Sequence, residues 1–192
     1  MSDPRSELEY ARRLSAGVEK IIAAAAYCWL LTRTEDGVRS RPMGRILAAQ
    51  GEDAWTLRFL TNLRSKKAEE VRRFDNVALI FQKDDEEAYI ALGGAARLIE
   101  AKQDVQALWN EKAYGRHFPT DDERLNAGFV EVKVTHMELW IRGLTPEPFG
   151  VRPTIRSAMP TGAGAALAES SPCERRREKE IWNGKSRQTG GR

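Results

Sequence analysis

Apolar positions recur along the first part of the chain at spacings of three and four. Leu8, Ala11, Leu14, Val18, Ile21 and Ile22 fall on one face of a helix predicted over Arg5 to Ala25, with Ser6 as a candidate cap. The pattern then changes. Tyr27 to Thr32 is a continuous apolar run, read as a strand buried on both faces, and Glu35-Asp36-Gly37 carries a hairpin signal. The return strand runs from Val38 to about Ala48. It places Arg39, Arg41, Met43, Arg45 and Leu47 on one face. Pro42 cannot donate to a sheet ladder, which marks an edge or a bulge.

Trp55 to Thr61 reads as the next strand. Asn62-Leu63-Arg64 turns the chain, and Ser65 caps a helix running to Arg73. Asn76–Phe81 and Ala88–Ile99 read as strands, the second bent at Gly93-Gly94. Lys102 to Tyr114 reads as one amphipathic helix with Val105, Leu108 and Trp109 as its apolar stripe, followed by a loop to Asp122. Phe129–Val134 and Met137–Arg142 read as two strands joined tightly at Thr135-His136. Trp29, Trp55 and Trp109 are read as core, and Trp140 as partly exposed. Strands joined mostly by hairpins exclude a doubly wound parallel sheet. The prediction is a mainly β, α+β fold: an antiparallel barrel of six or seven strands with peripheral helices, occupying residues 1–150.

Composition changes this picture only at the C-terminal end. From about residue 159 the chain is rich in Gly, Ala and Ser and then in charge, and residues 159–192 are expected to be disordered. From Ser170 onward seven Lys/Arg face three acids. That tail is therefore +4, and with an overall charge of +3 the rest of the chain is −1. The basic balance thus belongs to the tail and does not indicate a nucleic-acid face. Cys28 and Cys173 form neither a disulfide framework nor a metal spacing, and two histidines, His117 and His136, do not suggest a metal site. The polar, charged first residues do not read as a signal peptide, and no apolar run approaches membrane length. The expectation is a cytoplasmic protein.

Two stretches carry candidate chemistry. The turn into the second helix gathers the Ser65 hydroxyl, Lys66, Lys67 and the first free N–H groups of a helix. Cations there oppose the helix dipole by about 0.3–1 kcal/mol each, a conflict that a bound phosphate would relieve. The bland alternative is a solvated helix start. The second stretch is the arginine face of the return strand, whose guanidinium groups either face water or share an anion.

The order Arg41-Pro42-Met43, then Phe59-Leu60-Thr61-Asn62 with Ser65-Lys66-Lys67, then Glu138-Leu139-Trp140 resembles the flavin mononucleotide (FMN)-binding split-barrel proteins related to pyridoxamine phosphate oxidase. The Leu108-Trp109 segment followed by Phe118-Pro119 and Asp121-Asp122 resembles their bacterial general-stress-protein branch. The resemblance spans roughly Leu8 to Arg142. It implies that Arg41, Met43 and Arg45 lie along the flavin, that Leu60 and Thr61 meet it at the strand end, and that Ser65, Lys66 and Lys67 hold its phosphate. It further implies that Trp140 comes from the second subunit of a homodimer whose interface houses two flavins; an oxidoreductase of this kind would move electrons from a reduced nicotinamide to an unknown acceptor. Cousins of the fold use a deazaflavin or haem. Two departures set the chain apart from true pyridoxamine phosphate oxidases: no Arg-x-His motif follows Trp140, and Ala88 stands where those enzymes place a flavin-contacting glutamine. The resemblance names no catalytic residue, and a flavin oxidoreductase and a non-catalytic flavin carrier or stress sensor are both consistent with it.

Overall fold

The computed structural model describes residues 4–46, 53–149 and 154–157. Its first element is helix α1 (Pro4–Ala24), which opens on a proline, a residue whose missing N–H costs nothing at a first helical position. Leu14, Val18, Ile21 and Ile22 are buried at the predicted spacing. Strands β1 (Tyr27–Thr34) and β2 (Gly37–Gly44) form the predicted hairpin, paired from Thr34 opposite Gly37 to Tyr27 opposite Gly44. Strand β3 (Thr56–Asn62) leads through a short turn into helix α2 (Lys66–Arg73). Strands β4 (Asn76–Lys83) and β5 (Ala88–Ile99) follow.

Every strand pairing is antiparallel, in the order β2-β1-β4-β5-β6-β3, with β6 spanning Ala127–Ile141. An isolated bridge between Ile46 and Arg58 ties the chain just beyond β2 to β3, so the sheet curls towards closure. The result is a curled half-barrel with peripheral helices, as the sequence predicts. Phe59, Phe81 and Phe129 are fully buried. Each contributes about 1.5–3 kcal/mol by leaving water.

Several expectations are corrected. β1 is not buried on both faces. Cys28, Leu30 and Thr32 point inward, while Tyr27 and Trp29 are 67% and 49% exposed. Of the three tryptophans read as core, only Trp55 is buried. Trp109 instead joins a satellite cluster in which Tyr114 and Phe118 meet its ring edge-on. The long helix over residues 102–114 is broken into α3 (Lys102–Leu108) and α4 (Glu111–Tyr114), because the Asn110 side chain accepts from the Ala113 N–H and starts a new helix. The loop that follows contains α5 (Asp121–Arg124), opened by a Thr120–Glu123 capping box.

The two final strands are one continuous strand, β6. Thr135 and His136 form no hairpin. Gly93 pairs with His136 and Gly94 with Val134, leaving Thr135 as the extra residue of a bulge. A bend at the glycine pair is thus present, and it accounts for the polar interruption of β6. A Cβ on Gly94 would lie 2.3 Å from the Lys133 carbonyl oxygen. That neighbour is backbone and cannot move aside, so Gly94→Ala is expected to destabilise the fold by about 1–3 kcal/mol, read as a lower urea midpoint at unchanged slope. A seventh strand, β7 (Thr154–Ser157), pairs with the second half of β6 and was not anticipated. Its four residues are too few to show a period beside the neighbouring prolines. The expected disordered tail, residues 159–192, and Leu47 lie outside the described residues.

Candidate functional site

The turn after β3 is built as its sequence suggests. Asn62 accepts the Arg64 N–H at 2.8 Å on its side chain, and Ser65 is the N-cap of α2, accepting from the Ala68 N–H at 3.3 Å. The N–H groups of Lys66 and Lys67 occupy the first two helical positions, where no intrahelical acceptor exists. The two lysines diverge. Lys66 is exposed, beside a shallow cleft it shares with Glu35, Asp36 and Glu69. Lys67 turns inward to Met43 of β2, whose sulfur it approaches at 3.2 Å. A thioether is a weak acceptor. Burial, then the nearby charge of Arg41, pushes the Lys67 ammonium down to about 8 from its ordinary 10.5.

The arginine face of β2 turns Arg41 inward and leaves Arg39 half-exposed at its rim. Arg41 and Arg39 share an anion, and that anion is Glu70 of α2. Arg41 Nη2 donates to Glu70 Oε2 at 2.8 Å and Arg39 Nη1 to Oε1 at 3.1 Å. Thr32 Oγ1, fully buried, donates to Glu70 Oε2 at 2.6 Å and accepts from Arg41 Nη1 at 2.8 Å. Burial alone would raise the Glu70 carboxyl. The bonds from Thr32 and Arg41 and the two guanidinium charges outweigh it and hold the group below its usual range. Arg45 has a different partner. Its Nε donates to the Ala25 carbonyl at 3.0 Å and its Nη2 to that of Ala23 at 2.5 Å, so it caps the end of α1.

Arg41, Met43, Ser65 and Lys67 are therefore gathered between the end of β2 and the start of α2. Thr61 is buried and Leu60 half-buried at the end of β3, next in the chain to the turn. Trp140 is elsewhere, on the outer face of β6 opposite Tyr89 of β5. Sequence reasoning missed Thr32 and Glu70. The signal was available: Glu70 lies three residues after Lys67 and shares its helix face, and the hairpin register sets Thr32 opposite Arg39.

The geometry fixes the sign of a pH effect. Between pH 8 and 10.5 the unfolded chain holds a proton on Lys67 that the folded chain releases, so this group adds stability as pH rises through that window. Cys28, pushed up by burial to about 12, acts in the opposite sense above pH 9. The Lys67 contribution is isolated by comparison with Lys67→Met. The melting-temperature gap between the variant and the parent, in the variant's favour at pH 7.5, is expected to narrow by pH 10.

The profile of the "pyridoxamine 5'-phosphate oxidase like" family matches residues 15–145, more than half of the chain. The chain belongs to that family. Solved structures share its fold at low identity. A Clostridium acetobutylicum protein related to general stress protein 26 aligns with a TM-score of 0.60 at 12% identity, over 74% of this chain and 92% of that one. General stress protein 26 of Bacillus anthracis aligns at 0.56 and 20% identity, over 76% and 98%. A Nostoc punctiforme protein described as pyridoxamine 5'-phosphate oxidase-related and FMN-binding aligns at 0.55 and 14% identity, over 83% and 100%. No curated protein sequence matches the chain. Among the described residues no helix is long and apolar enough to cross a membrane.

Proposed function

We propose that this chain binds FMN at the junction of β2 and α2 and works as a flavin-dependent oxidoreductase of the general-stress type, on a substrate that the fold does not name. The carrying observation is Lys67. Its ammonium is turned inward beside Arg41 with a thioether as its hydrogen-bond acceptor, next to two free helix N–H groups. An anion with several oxygens satisfies all of these at once, and a terminal phosphate is such a group. In this reading Lys67, Arg41 and the N–H groups of Lys66 and Lys67 take the phosphate, with Ser65 holding the helix start. Lys66 adds a long-range charge and Arg45 braces β2 against α1. Leu60, Thr61 and the backbone around Met43 border the ring system. The bound flavin supplies two-electron redox chemistry, and the protein supplies binding, orientation and shielding from water.

The same reading makes the protein a cytoplasmic homodimer in which Trp140 reaches the flavin of the other subunit. The outer sheet face supports this. The register sets Pro42, Trp29, Ile80 and Ala91 in one row across β2, β1, β4 and β5, which ends at Glu138 of β6, with Tyr89 and Trp140 beside it. Aromatic and aliphatic side chains in a continuous row of a sheet suit an interface better than water.

The visible spectrum of the purified protein, with mass spectrometry of the released cofactor, tests the ligand. Flavin absorption with the mass of FMN supports the reading; a deazaflavin, haem or colourless protein overturns it. Anaerobic mixing with NADH or NADPH tests the activity. Rapid bleaching supports a nicotinamide-driven oxidoreductase, whereas an unbleached flavin with both donors favours a carrier.

A further inference from the structure

The site holds a residue that neither the family resemblance nor the phosphate reading requires. Glu70 is an acid, buried, on the same face of α2 as Lys67, within a cluster proposed to bind an anion. On charge alone it opposes that ligand. Its hydrogen bonds show what it does instead. One carboxylate oxygen accepts from Arg41 and Thr32, the other accepts from Arg39, and the Thr32 hydroxyl oxygen accepts from Arg41 in turn. Arg41 is thus held at both Nη atoms by a closed ring of bonds joining β1, β2 and α2. A free arginine side chain loses rotamer freedom when it is fixed, and here that loss is met during folding rather than on binding.

The charge count points the same way. Arg39, Arg41 and Lys67 contribute three positive charges and Glu70 one negative, so the cluster is +2. A phosphate monoester carries about −1.5 to −2 at neutral pH, and a diester only −1.

We propose that Glu70 is the positioning residue of this site: directly and through Thr32 it fixes the Arg41 guanidinium for a phosphate monoester. The proposal rests on the FMN reading above. Glu70 itself does not touch the ligand.

The test compares FMN with riboflavin, which lacks the phosphate, by flavin-fluorescence titration of the full chain and of Glu70→Ala, Glu70→Gln and Thr32→Val. Glutamine keeps an acceptor oxygen for Thr32 and Arg41 and gives up only the bond from Arg39, whose half-exposed guanidinium can turn to water. The expected result is an FMN affinity lowered about ten- to hundredfold in Glu70→Ala, with riboflavin within about twofold, and near-complete rescue in Glu70→Gln. Thr32→Val, which keeps the buried shape, is expected to lose FMN affinity about three- to tenfold with riboflavin unchanged. It carries the test alone should Glu70→Ala not fold.

Tighter FMN binding in both Glu70 variants would overturn the proposal, since Glu70 would then be only a competing charge. Equal losses for the two flavins, a glutamine variant as weak as the alanine one, or an unaffected Thr32→Val would also overturn it. Failure of the underlying reading looks different: the unmodified chain would then show no preference for FMN over riboflavin, and both proposals would fall together.

Discussion

Replacing Lys67 by methionine is expected to weaken FMN binding by about one to two powers of ten while leaving riboflavin binding nearly unchanged. A charge-assisted hydrogen bond to a phosphate oxygen contributes about 1.5–3 kcal/mol, and each 1.4 kcal/mol is tenfold in affinity. Lys66→Met should cost less than about threefold, because Lys66 is exposed and its charge is screened by water. The apo protein should respond in the opposite direction. Lys67→Met removes an inward ammonium whose acceptor among the described residues is the Met43 sulfur and that sits against the positive end of α2. A higher apo melting temperature together with lost FMN affinity is the signature of a binding residue maintained at a cost to stability. Equal loss of FMN and riboflavin would make Lys67 a structural residue. No loss of either would leave the phosphate to other groups.

The sequence distinguishes these two lysines poorly, and the reason is geometric. Both follow Ser65 in a first helical turn, where composition marks an anion site but not which side chain turns inward. A rotation of about 100° per residue separates them, and only the packing of α2 against β1 and β2 decides. The arginine face shows the same boundary. Alternation along β2 places Arg39, Arg41 and Met43 together, as found. That the shared anion is a residue of α2 depends on the approach of two segments about thirty positions apart. The barrel itself was legible because hairpin turns, alternating strands and the Gly93-Gly94 bend are local signals. The split helix after Lys102 was not, because the Asn110 cap competes with an apolar stripe that continues through it. Trp29 was misplaced for another reason. An apolar run looks the same whether its outer face is covered by its own chain or left exposed on it.

That outer face carries the second large effect. Trp29→Glu is expected to convert the protein from a species of about twice its 21.6 kDa chain mass to a monomer in sedimentation. Trp29 is 49% exposed in the single chain, and Tyr27 on the same strand face is 67% exposed. Neither belongs to the barrel interior, so the substitution should leave the fold of the isolated chain largely intact. In a dimer packed through this face, a carboxylate would sit opposite Ile80 and Pro42, its cross-strand neighbours, with no cation in that row. Stripping water from an unpaired charge costs several kcal/mol, enough to shift association by three or more powers of ten. Flavin binding should fall with the dimer, for FMN and riboflavin alike, because Trp140 would no longer meet the ring of the opposite subunit. This common loss separates the variant from Lys67→Met, where the two flavins part. A Trp29→Glu protein that stays dimeric at micromolar concentration would remove this face as the interface. A monomer that still binds FMN tightly would show that each chain builds its flavin site alone.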